Sequence, residues 1–292
     1  MRGLIFKGVG GFYSVRPEGA ERGVSYLCRA RGIFKKYGLT PTVGDLVDFD
    51  ALDDEEGVVN DILPRRNLFV RPPIANVDIF VVMIAAANPA PNLSVVDKLL
   101  VSAEMAGTEA MICINKTDLL SQDKLRRVTD IYAELYPLAE ICCAGGAGIE
   151  NLSAMLAGKR SALAGPSGVG KSTLINCLLG GTELETGTVS GRTRRGRHTT
   201  RHVEIFDTDM GGMIFDTPGF TSFAVAGGDV SDLAFLFPEM REYLGDCRFD
   251  DCRHLKEPGC AVLEALALGR ISVSRYASYV TMQREIEEKS AY

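Results

Sequence analysis

Eight consecutive residues of the chain, from Gly165 to Ser172, have the spacing of a phosphate-binding loop. They read Gly-Pro-Ser-Gly-Val-Gly-Lys-Ser, follow a predicted strand and open a predicted helix. The glycines allow backbone N–H groups to converge on phosphate oxygens, and the positive end of the helix strengthens the attraction. A glycine-rich turn with a chance Lys-Ser pair is the alternative, which this context disfavours. We therefore expect Lys171 to bridge the β- and γ-phosphates and Ser172 to bind Mg²⁺. The residues assigned to nucleotide binding here are Gly165, Pro166, Ser167, Gly168, Val169, Gly170, Lys171, Ser172 and Thr173.

A second motif, Asn115-Lys116-Thr117-Asp118, follows another predicted strand, at the end where ligands bind open α/β sheets. The Asp118 carboxylate can accept hydrogen bonds from the N1–H and the 2-amino group of guanine. Adenine offers neither donor, so ATP would leave that carboxylate unpaired. Asn115 is expected to tie this segment to the phosphate loop. The four-residue match is weak alone, but with a phosphate loop it predicts GTP or GDP with Mg²⁺ as the bound cofactor.

A third motif, Asp216-Thr-Pro-Gly219, follows the predicted strand Met213–Phe215. Asp216 is expected to hold Mg²⁺ through water, and the N–H of Gly219 to sense the γ-phosphate. Taken alone, the segment is better interpreted as a turn that ends a strand. As the third motif of a set, it favours a nucleotide switch.

The order of the three motifs is unusual, because Ras-like GTPases have the phosphate loop first and N-K-x-D later. Here N-K-T-D precedes the phosphate loop. The same sheet can form if the usual termini are joined and the chain is cut elsewhere. The segment Cys142–Gly148 would then face guanine, although Cys142 stands where serine is usual and Ala144 where lysine is usual. These departures put the contribution of that loop to affinity in doubt.

The segment from 181 to 200 is rich in glycine, threonine and arginine, and we expect a long mobile loop. Thr199 or Thr200 can close onto Mg²⁺, and the sequence does not choose between them. Phe220 stands where Ras-like enzymes place a water-orienting glutamine, so slow intrinsic hydrolysis is expected. His198 is a candidate for the missing catalytic group, with packing or RNA binding as the alternative. The loop is strongly basic and contacts RNA phosphates in the functional interpretation, through Arg192, Arg194, Arg195, Arg197 and Arg201.

Near the C-terminus, Cys247, Cys252, His254 and Cys260 supply three thiolates and one imidazole. This is the closed ligand set of a tetrahedral structural Zn²⁺ site, which leaves no position for catalysis. Reduced cysteines of a hydrophobic core are the alternative, but the residues between them are mostly polar. We expect one structural Zn²⁺ to stabilise a small C-terminal unit.

Composition excludes several classes of protein. The chain has 292 residues, 46% of them apolar, and a net charge of −6 that excludes a histone-like polycation. Its longest apolar run, residues 79–87, is too short for a membrane span, and its start has no secretory apolar segment. We therefore expect a cytoplasmic monomer without membrane contact, whose eight cysteines need no disulfides.

Three domains are predicted to position these motifs. Residues 1–70 have short β segments near 11–15, 25–28 and 45–49, which suggest a small all-β barrel. Residues 64–73 read as a linker. In this barrel a local basic-aromatic patch suggests an RNA contact, with a solvated hairpin tip as the alternative; it comprises Arg29, Arg31, Phe34, Lys35, Lys36 and Tyr37.

Alternating strands and helices in residues 71–225 predict a mostly parallel sheet covered on both faces. Ser94 is a candidate N-cap for a helix over 94–106. Residues 226–292 are predicted to form a mostly helical zinc-binding domain. The remaining predicted strands are 78–86, 110–114, 139–143, 160–164, 202–206 and 213–215, and the remaining helices 123–136, 149–157 and 171–179.

Together, these motifs resemble a family of circularly permuted bacterial GTPases, the ribosome small-subunit-dependent GTPases (RsgA/YjeQ family). The resemblance covers nearly the whole chain and includes Pro41-x-Val-Gly-Asp45 and Gly196-Arg-His-Thr-Thr200. It implies an N-terminal OB-fold, a permuted GTPase core and a zinc-binding C-terminal domain. It also implies GTP hydrolysis stimulated by the small ribosomal subunit and its rRNA, late in the maturation of that subunit.

Two other classes of function remain open at this point. Phe220 and the altered 142–144 loop are compatible with a nucleotide-gated RNA-binding scaffold that has negligible turnover. An ATP-dependent kinase built on the phosphate loop is disfavoured by Asp118.

Overall fold

The computed structural model of the chain describes all residues except 22, 33, 35–37, 181–202, 218–229 and 291–292. The chain divides into two compact units. The first comprises Met1–Phe80, Ile149–Leu163 and Lys171–Phe220, and the second comprises Val81–Gly148, Ala164–Gly170 and Thr221–Tyr292. Because both units draw on several chain segments, the domain boundaries after residues 70 and 225 stay predictions.

Five strands of the first unit form a closed barrel. Their order is β1-β2-β3-β5-β4, and β4 pairs back with β1. Side chains alternate between the interior and the surface, so that Val47 and Phe49 are buried. This confirms the predicted OB-type barrel, although β1 and β5 were not among the predicted strands. The strands are β1 (Arg2–Val9), β2 (Phe12–Pro17), β3 (Tyr26–Ala30), β4 (Leu46–Ala51) and β5 (Glu56–Ile62).

The predicted linker over 64–73 is wrong in part, because it contains strands of a two-stranded sheet. Strands β6 (Leu68–Val70) and β7 (Pro73–Ala75) pair antiparallel. Phe69 is buried in this hairpin and stacks on Phe80 at 4.9 Å between ring centroids. Burial of this aromatic side chain stabilises the hairpin, which a flexible linker would lack.

The second unit contains three neighbouring strands in the order β10-β9-β8. These strands are β8 (Ile79–Ala85), β9 (Glu109–Asn115) and β10 (Leu138–Glu140), and β10 runs parallel to β9. All seven residues of β8 are buried, as its continuous apolar run predicts.

Helix α1 (Leu93–Met105) confirms the predicted helix but not its cap. The N-cap is Asn92, whose Oδ1 accepts from Val95 N at 3.3 Å, and Ser94 lies inside the first turn. Helix α2 (Gln122–Tyr132) ends four residues before the predicted Tyr136. Pro137 disfavours helical backbone at the residue before it, which accounts for part of the early end.

The first unit also contains strands β11 (Arg160–Ala164), β12 (Glu204–Asp207) and β13 (Met213–Asp216). β13 runs parallel to β11 and antiparallel to β12, and β12 pairs with β1 of the barrel. The predicted strand 202–206 thus begins at Glu204, and His202 lies outside the described residues. Helices α3 (Ile149–Leu156) and α4 (Lys171–Leu178) have nearly the predicted limits.

The described part of the chain beyond residue 229 is mostly helical, as predicted. It consists of 3-10 helices over Val230–Leu236 and Pro238–Tyr243, then α5 (Ala261–Ala267) and α6 (Val273–Ser290). Phe237, Met240 and Met282 are fully buried in its core. Among the described residues, no helix combines the length and apolarity that crossing a bilayer requires.

Candidate functional site

The phosphate loop follows β11 and approaches the backbone of β8 closely. A Cβ on Gly165, whose φ is +153°, would lie 2.1 Å from the carbonyl oxygen of Met83. Only glycine allows this approach, since real Cβ atoms do not come that near a backbone oxygen. A Cβ on Gly170 would lie 2.4 Å from Asn115 Nδ2. The loop therefore sits where the parallel strands end, close to the N-K-T-D segment.

Asn115 connects the two motifs through both atoms of its side-chain amide. Nδ2 donates to the carbonyl oxygen of Val169 at 2.9 Å, and Oδ1 accepts from Cys143 N at 3.1 Å. Asn115 is buried, so both bonds are shielded from water. The phosphate loop, the end of β9 and the 142–148 loop are thus held by one side chain.

Lys116 adds a second connection and takes a left-handed backbone conformation with φ of +61°. Its Nζ donates to the carbonyl oxygen of Gly168 at 2.8 Å and to that of Asn88. Asn88 was not among the predicted site residues; it lies just beyond the end of β8 and is followed by Pro89. Its position just after the carboxyl end of a strand is the sequence feature that could have identified it as a site residue.

Thr117 and Asp118 lie in a 3-10 helix, Thr117–Leu119, directly after β9. Thr117 Oγ1 donates to the carbonyl oxygen of Ile141 at 3.1 Å. The Asp118 carboxylate is exposed and accepts from Cys142 Sγ at 3.0 Å through Oδ1. An exposed carboxylate in this position is open to a hydrogen-bond donor from solution.

Lys171, Ser172 and Thr173 form the first turn of α4, covalently continuous with Gly170. Burial lowers the pKa of Lys171, since desolvation disfavours its charged form. A phosphate nearby would restore that charge. The hydroxyl-bearing residues Ser172 and Thr173 are exposed.

Asp216 ends β13, with Thr217 directly after it. Burial, and then the charge of Glu204, raise the pKa of Asp216. A cation such as Mg²⁺ would reverse both effects, because it stabilises the ionised carboxylate. Thr217 Oγ1 donates to the carbonyl oxygen of Leu163 at 3.1 Å, which fixes the backbone after Asp216.

Several predicted functional residues lie outside the described part of the chain, in the segments 181–202, 218–229 and 35–37. The basic-aromatic patch is only partly described. Phe34 is 5% exposed and so belongs to the barrel core rather than to a surface patch. The guanidinium of Arg29 lies over the ring of Phe12, 4.8 Å from its centroid. The residues outside the described part include His198, Thr199, Thr200, Gly219, Phe220, Lys35, Lys36, Tyr37 and the five arginines of the 181–202 segment.

The structure brings the four predicted metal ligands together. His254 Nδ1 lies 3.5 Å from Cys247 Sγ and 3.4 Å from Cys260 Sγ, and the two sulfurs are 3.9 Å apart. All four ligand atoms, including Cys252 Sγ, lie within 4.8 Å of one another. Zn–S bonds of about 2.3 Å and Zn–N bonds of about 2.0 Å give tetrahedron edges of about 3.5–3.8 Å. The three separations among Cys247, His254 and Cys260 are close to these edges, with Nδ1 as the ligand nitrogen, and Cys252 lies near enough to be the fourth ligand.

The local backbone explains how the ligands converge. His254 has a left-handed φ of +57°, and Cys260 is the N-cap of α5. Tyr276 on α6 donates its hydroxyl to the carbonyl oxygen of His254 at 2.8 Å. Burial lowers the pKa of His254, which favours the neutral imidazole that binds metals. All eight cysteines of the chain are described, and none of them forms a disulfide.

Comparison with known proteins agrees with this geometry. Residues 62–226 match the sequence profile described as RsgA GTPase, and residues 2–59 match that of the RsgA N-terminal domain. The chain is 41% identical to the small ribosomal subunit biogenesis GTPase RsgA of Agathobacter rectalis, over all of both chains. It is 42% identical to the protein of the same name from Carboxydothermus hydrogenoformans, again over all of both chains.

Two solved structures are similar over nearly their whole length. The crystal structure of YjeQ from Thermotoga maritima has a TM-score of 0.82 and 36% identity, covering 97% of each chain. The structure of YloQ, described as a circularly permuted GTPase, has a TM-score of 0.81 and 33% identity. It covers 99% of this chain and 95% of the other.

Proposed function

This chain belongs to the RsgA family of GTPases, and we propose that it hydrolyses GTP to GDP and phosphate in the biogenesis of the small ribosomal subunit. One observation supports the nucleotide site above all others. Asn115 and Lys116 bond directly to the backbone of the phosphate loop, at Val169 and Gly168. Two motifs that occur in reversed order along the chain are thereby joined as a GTP site requires.

In this proposal Asp118 selects guanine by accepting from N1–H and the 2-amino group. The loop Gly165–Gly170 surrounds the phosphates, Lys171 bridges the β- and γ-phosphates, and Ser172 binds Mg²⁺. Asp216 holds Mg²⁺ through water. Thr199 or Thr200 and Gly219 would respond to the γ-phosphate, and this part of the proposal rests on the sequence alone.

Hydrolysis requires a partner in this proposal. Phe220 follows Asp-Thr-Pro-Gly219, and its apolar ring cannot orient the attacking water. Stimulation by about 10⁵-fold, as partners achieve in other GTPases, corresponds to about 7 kcal/mol of transition-state stabilisation. We assign this stimulation to the small ribosomal subunit, with His198 as the candidate group within the chain.

The same proposal makes rRNA the contact of the barrel and of the basic 181–202 segment. With a net charge of −6, the chain can attract RNA only through local patches. Arg29 stacked over Phe12 is one such patch, since an arginine and an aromatic ring suit both phosphates and bases. A cytoplasmic location and a monomeric state complete the proposal and remain predictions.

One structural Zn²⁺ held by Cys247, Cys252, His254 and Cys260 is also proposed. The four side chains fit a tetrahedral ion and leave no ligand position open. When bound, the ion crosslinks the loop 247–260. It stabilises the helical region and takes no part in hydrolysis.

The decisive experiment measures multiple-turnover phosphate release from GTP while purified small subunits are titrated in. We expect slow release by the protein alone and a saturable increase with subunits. Lys171→Ala, which keeps the fold but removes the phosphate-binding cation, should abolish both rates. Saturable GTP binding without subunit-stimulated release would favour the nucleotide-gated scaffold instead. Displacement of labelled GTP by equimolar ATP would favour an ATP-dependent enzyme.

A further inference from the structure

A row of three charged side chains runs from the barrel to the strand that ends at the proposed Mg²⁺ residue. Lys7 on β1 is directly opposite Glu204 on β12, and Glu204 is directly opposite Asp216 on β13. Residues opposite each other in antiparallel strands point to the same face of the sheet, with Cβ atoms about 5 Å apart. The three side chains therefore lie side by side, with the cation at the barrel end of the row.

The cation of this row pairs with the middle carboxylate. Lys7 Nζ lies 2.7 Å from Glu204 Oε2, and the two side chains are 40% and 26% exposed. Glu204 in turn acts on Asp216, because burial first and then the negative charge of Glu204 raise the pKa of the Asp216 carboxyl group. Lys7 thus offsets the charge of the carboxylate that stands next to Asp216.

The barrel also packs against β13 one residue before Asp216. Gly44, in the barrel loop before β4, has a φ of +96°. A Cβ on Gly44 would lie 2.0 Å from the carbonyl oxygen of Ala75 and 2.9 Å from Cζ of Phe215, whose side chain is fully buried. Such close packing leaves the strands no room to shift. Strand pairing and packing therefore fix the row, and removing its ion pair changes the charge more than the geometry.

We propose that Lys7 is a positioning residue for Mg²⁺, which holds the Glu204 carboxylate beside Asp216 and offsets part of its charge. This inference rests on the proposed GTP site. Mg²⁺ usually keeps several waters when bound, and Asp216 is proposed to hold it through one of them. A second carboxylate nearby attracts the same cation, and the Lys7 ammonium opposes that attraction. A strand of the barrel thereby sets the Mg²⁺ affinity of the nucleotide site.

The charges predict opposite effects for two substitutions. Glu204→Gln removes one negative charge, so Mg²⁺ should bind about three- to tenfold more weakly. Lys7→Met removes the opposing positive charge and keeps the apolar stem, so Mg²⁺ should bind about two- to fivefold more tightly. Local loss of structure would weaken Mg²⁺ binding in both variants. The sign of the Lys7→Met effect therefore separates electrostatics from folding.

The test follows the release of fluorescent GDP while MgCl₂ is titrated at constant ionic strength, so that hydrolysis plays no part. Bound Mg²⁺ should slow this release, and the half-saturating concentration measures its affinity. Arg16→Met is the matched control, because Arg16 also joins the barrel to β12, through an ion pair with Asp207 at 2.8 Å. Asp207 lies opposite Met213, three residues along β12 from Glu204. This control should therefore stay within about twofold of the parent protein.

A double variant, Lys7→Met with Glu204→Gln, tests whether Lys7 acts through Glu204. Its Mg²⁺ affinity should be close to that of Glu204→Gln alone, because the ammonium has no carboxylate left to offset. Thermal unfolding of each variant shows whether it is folded.

Three results would overturn the inference and leave the GTP site in place. Lys7→Met could weaken Mg²⁺ binding, as a structural role requires, or it could match Arg16→Met, which would leave Lys7 without a role. The full tightening could also persist in the double variant, so that Lys7 does not act through Glu204. If MgCl₂ does not change GDP release by the parent protein, the proposed metal site itself is wrong, and this inference fails with it.

Discussion

The guanidinium of Arg275 donates from Nη1 to Asp97 Oδ1 at 2.8 Å, and both side chains are fully buried. Arg275 lies on α6 near the C-terminus, and Asp97 lies on α1. The same guanidinium binds both carboxylate oxygens of Glu239, at 2.6 Å and 3.0 Å. It also lies over the ring of Phe237, 4.7 Å from the centroid. Arg275 thus links α6 to Asp97 on α1 and to Glu239 in the 3-10 helix Pro238–Tyr243.

Replacing Arg275 by methionine should destabilise the protein strongly. Methionine keeps much of the apolar volume but leaves Asp97 and Glu239 buried without a counter-charge. Breaking a buried ion pair in this way costs about 3–5 kcal/mol of unfolding free energy. Urea denaturation followed by circular dichroism measures the change.

Glu285→Ala is the matched control, because Glu285 lies on the same helix and pairs with Lys98 on α1. These side chains are 38% and 22% exposed, so the loss should stay below about 1 kcal/mol. Equal losses in the two variants would show that the buried network has no special role in holding α6.

Gly170→Ala should weaken nucleotide binding without a large loss of stability. The added Cβ would lie 2.4 Å from Asn115 Nδ2, so the amide must move and its bond to Val169 is lost. Since one buried hydrogen bond and the loop geometry are affected, we expect at least a tenfold increase in the Kd for GDP. Fluorescent GDP titration measures it.

Gly158→Ala controls for backbone strain in that experiment. Gly158 has a φ of +70°, and its added Cβ meets no atom within 4 Å. The Gly158→Ala variant therefore has the backbone strain of an alanine in the left-handed region, but its new Cβ contacts nothing near the nucleotide site. The prediction fails if both variants bind GDP with the same affinity.

The elements around the nucleotide could be predicted because their signals are local. Continuous apolar runs identify β8, β9 and β11, and the motifs that follow them place Asn115 and Gly165 at strand ends. The observed ends of these three strands lie within a residue or two of the predicted ends. The four metal ligands could likewise be predicted as a set, because all lie within fourteen residues of the sequence.

The elements that were missed depend on contacts between distant segments. Strand β5 contains Gly57, Asn60 and Asp61, which have low β propensity, and only pairing with β3 and β4 makes it a strand. Arg275 and Asp97 are 178 residues apart. An aspartate among the apolar residues of α1 was the only local signal that a buried cation was needed.

Asp78 should make stability depend on pH in the acid range. Burial alone would raise the pKa of Asp78, but hydrogen bonds from Arg160 and Arg66 overcome this effect and lower the pKa below its ordinary value. A carboxyl group with a lowered folded-state pKa contributes stability above its unfolded pKa of about 3.9. That contribution is lost as the pH falls through the lower folded value.

Asp78→Asn should therefore cost about 1–3 kcal/mol at pH 7, from the lost charged hydrogen bonds, and progressively less below about pH 4. Urea midpoints of both proteins between pH 7 and pH 3 measure this difference. Asp61→Asn is the control, since that side chain is exposed and accepts from the neighbouring Ile62 N. A difference between parent and Asp78→Asn that does not shrink in acid would contradict the assignment.

Removal of zinc should unfold the C-terminal helical region while the barrel persists. The loop 247–260 is held by the four ligands together with a hydrogen bond from Arg248 N to the carbonyl oxygen of Gly259 at 2.9 Å. Without the ion, weak hydrogen bonds among the thiols and the imidazole replace the metal bonds, and a structural site contributes directly to folding. Elemental analysis should find one zinc per chain, and a strong chelator should lower the helical circular dichroism signal reversibly.

Cys260→Ser should purify with less zinc, whereas Cys177→Ser, outside the cluster, should retain one equivalent. Full zinc content in Cys260→Ser, or an unchanged spectrum in the metal-free protein, would contradict a structural role for the ion.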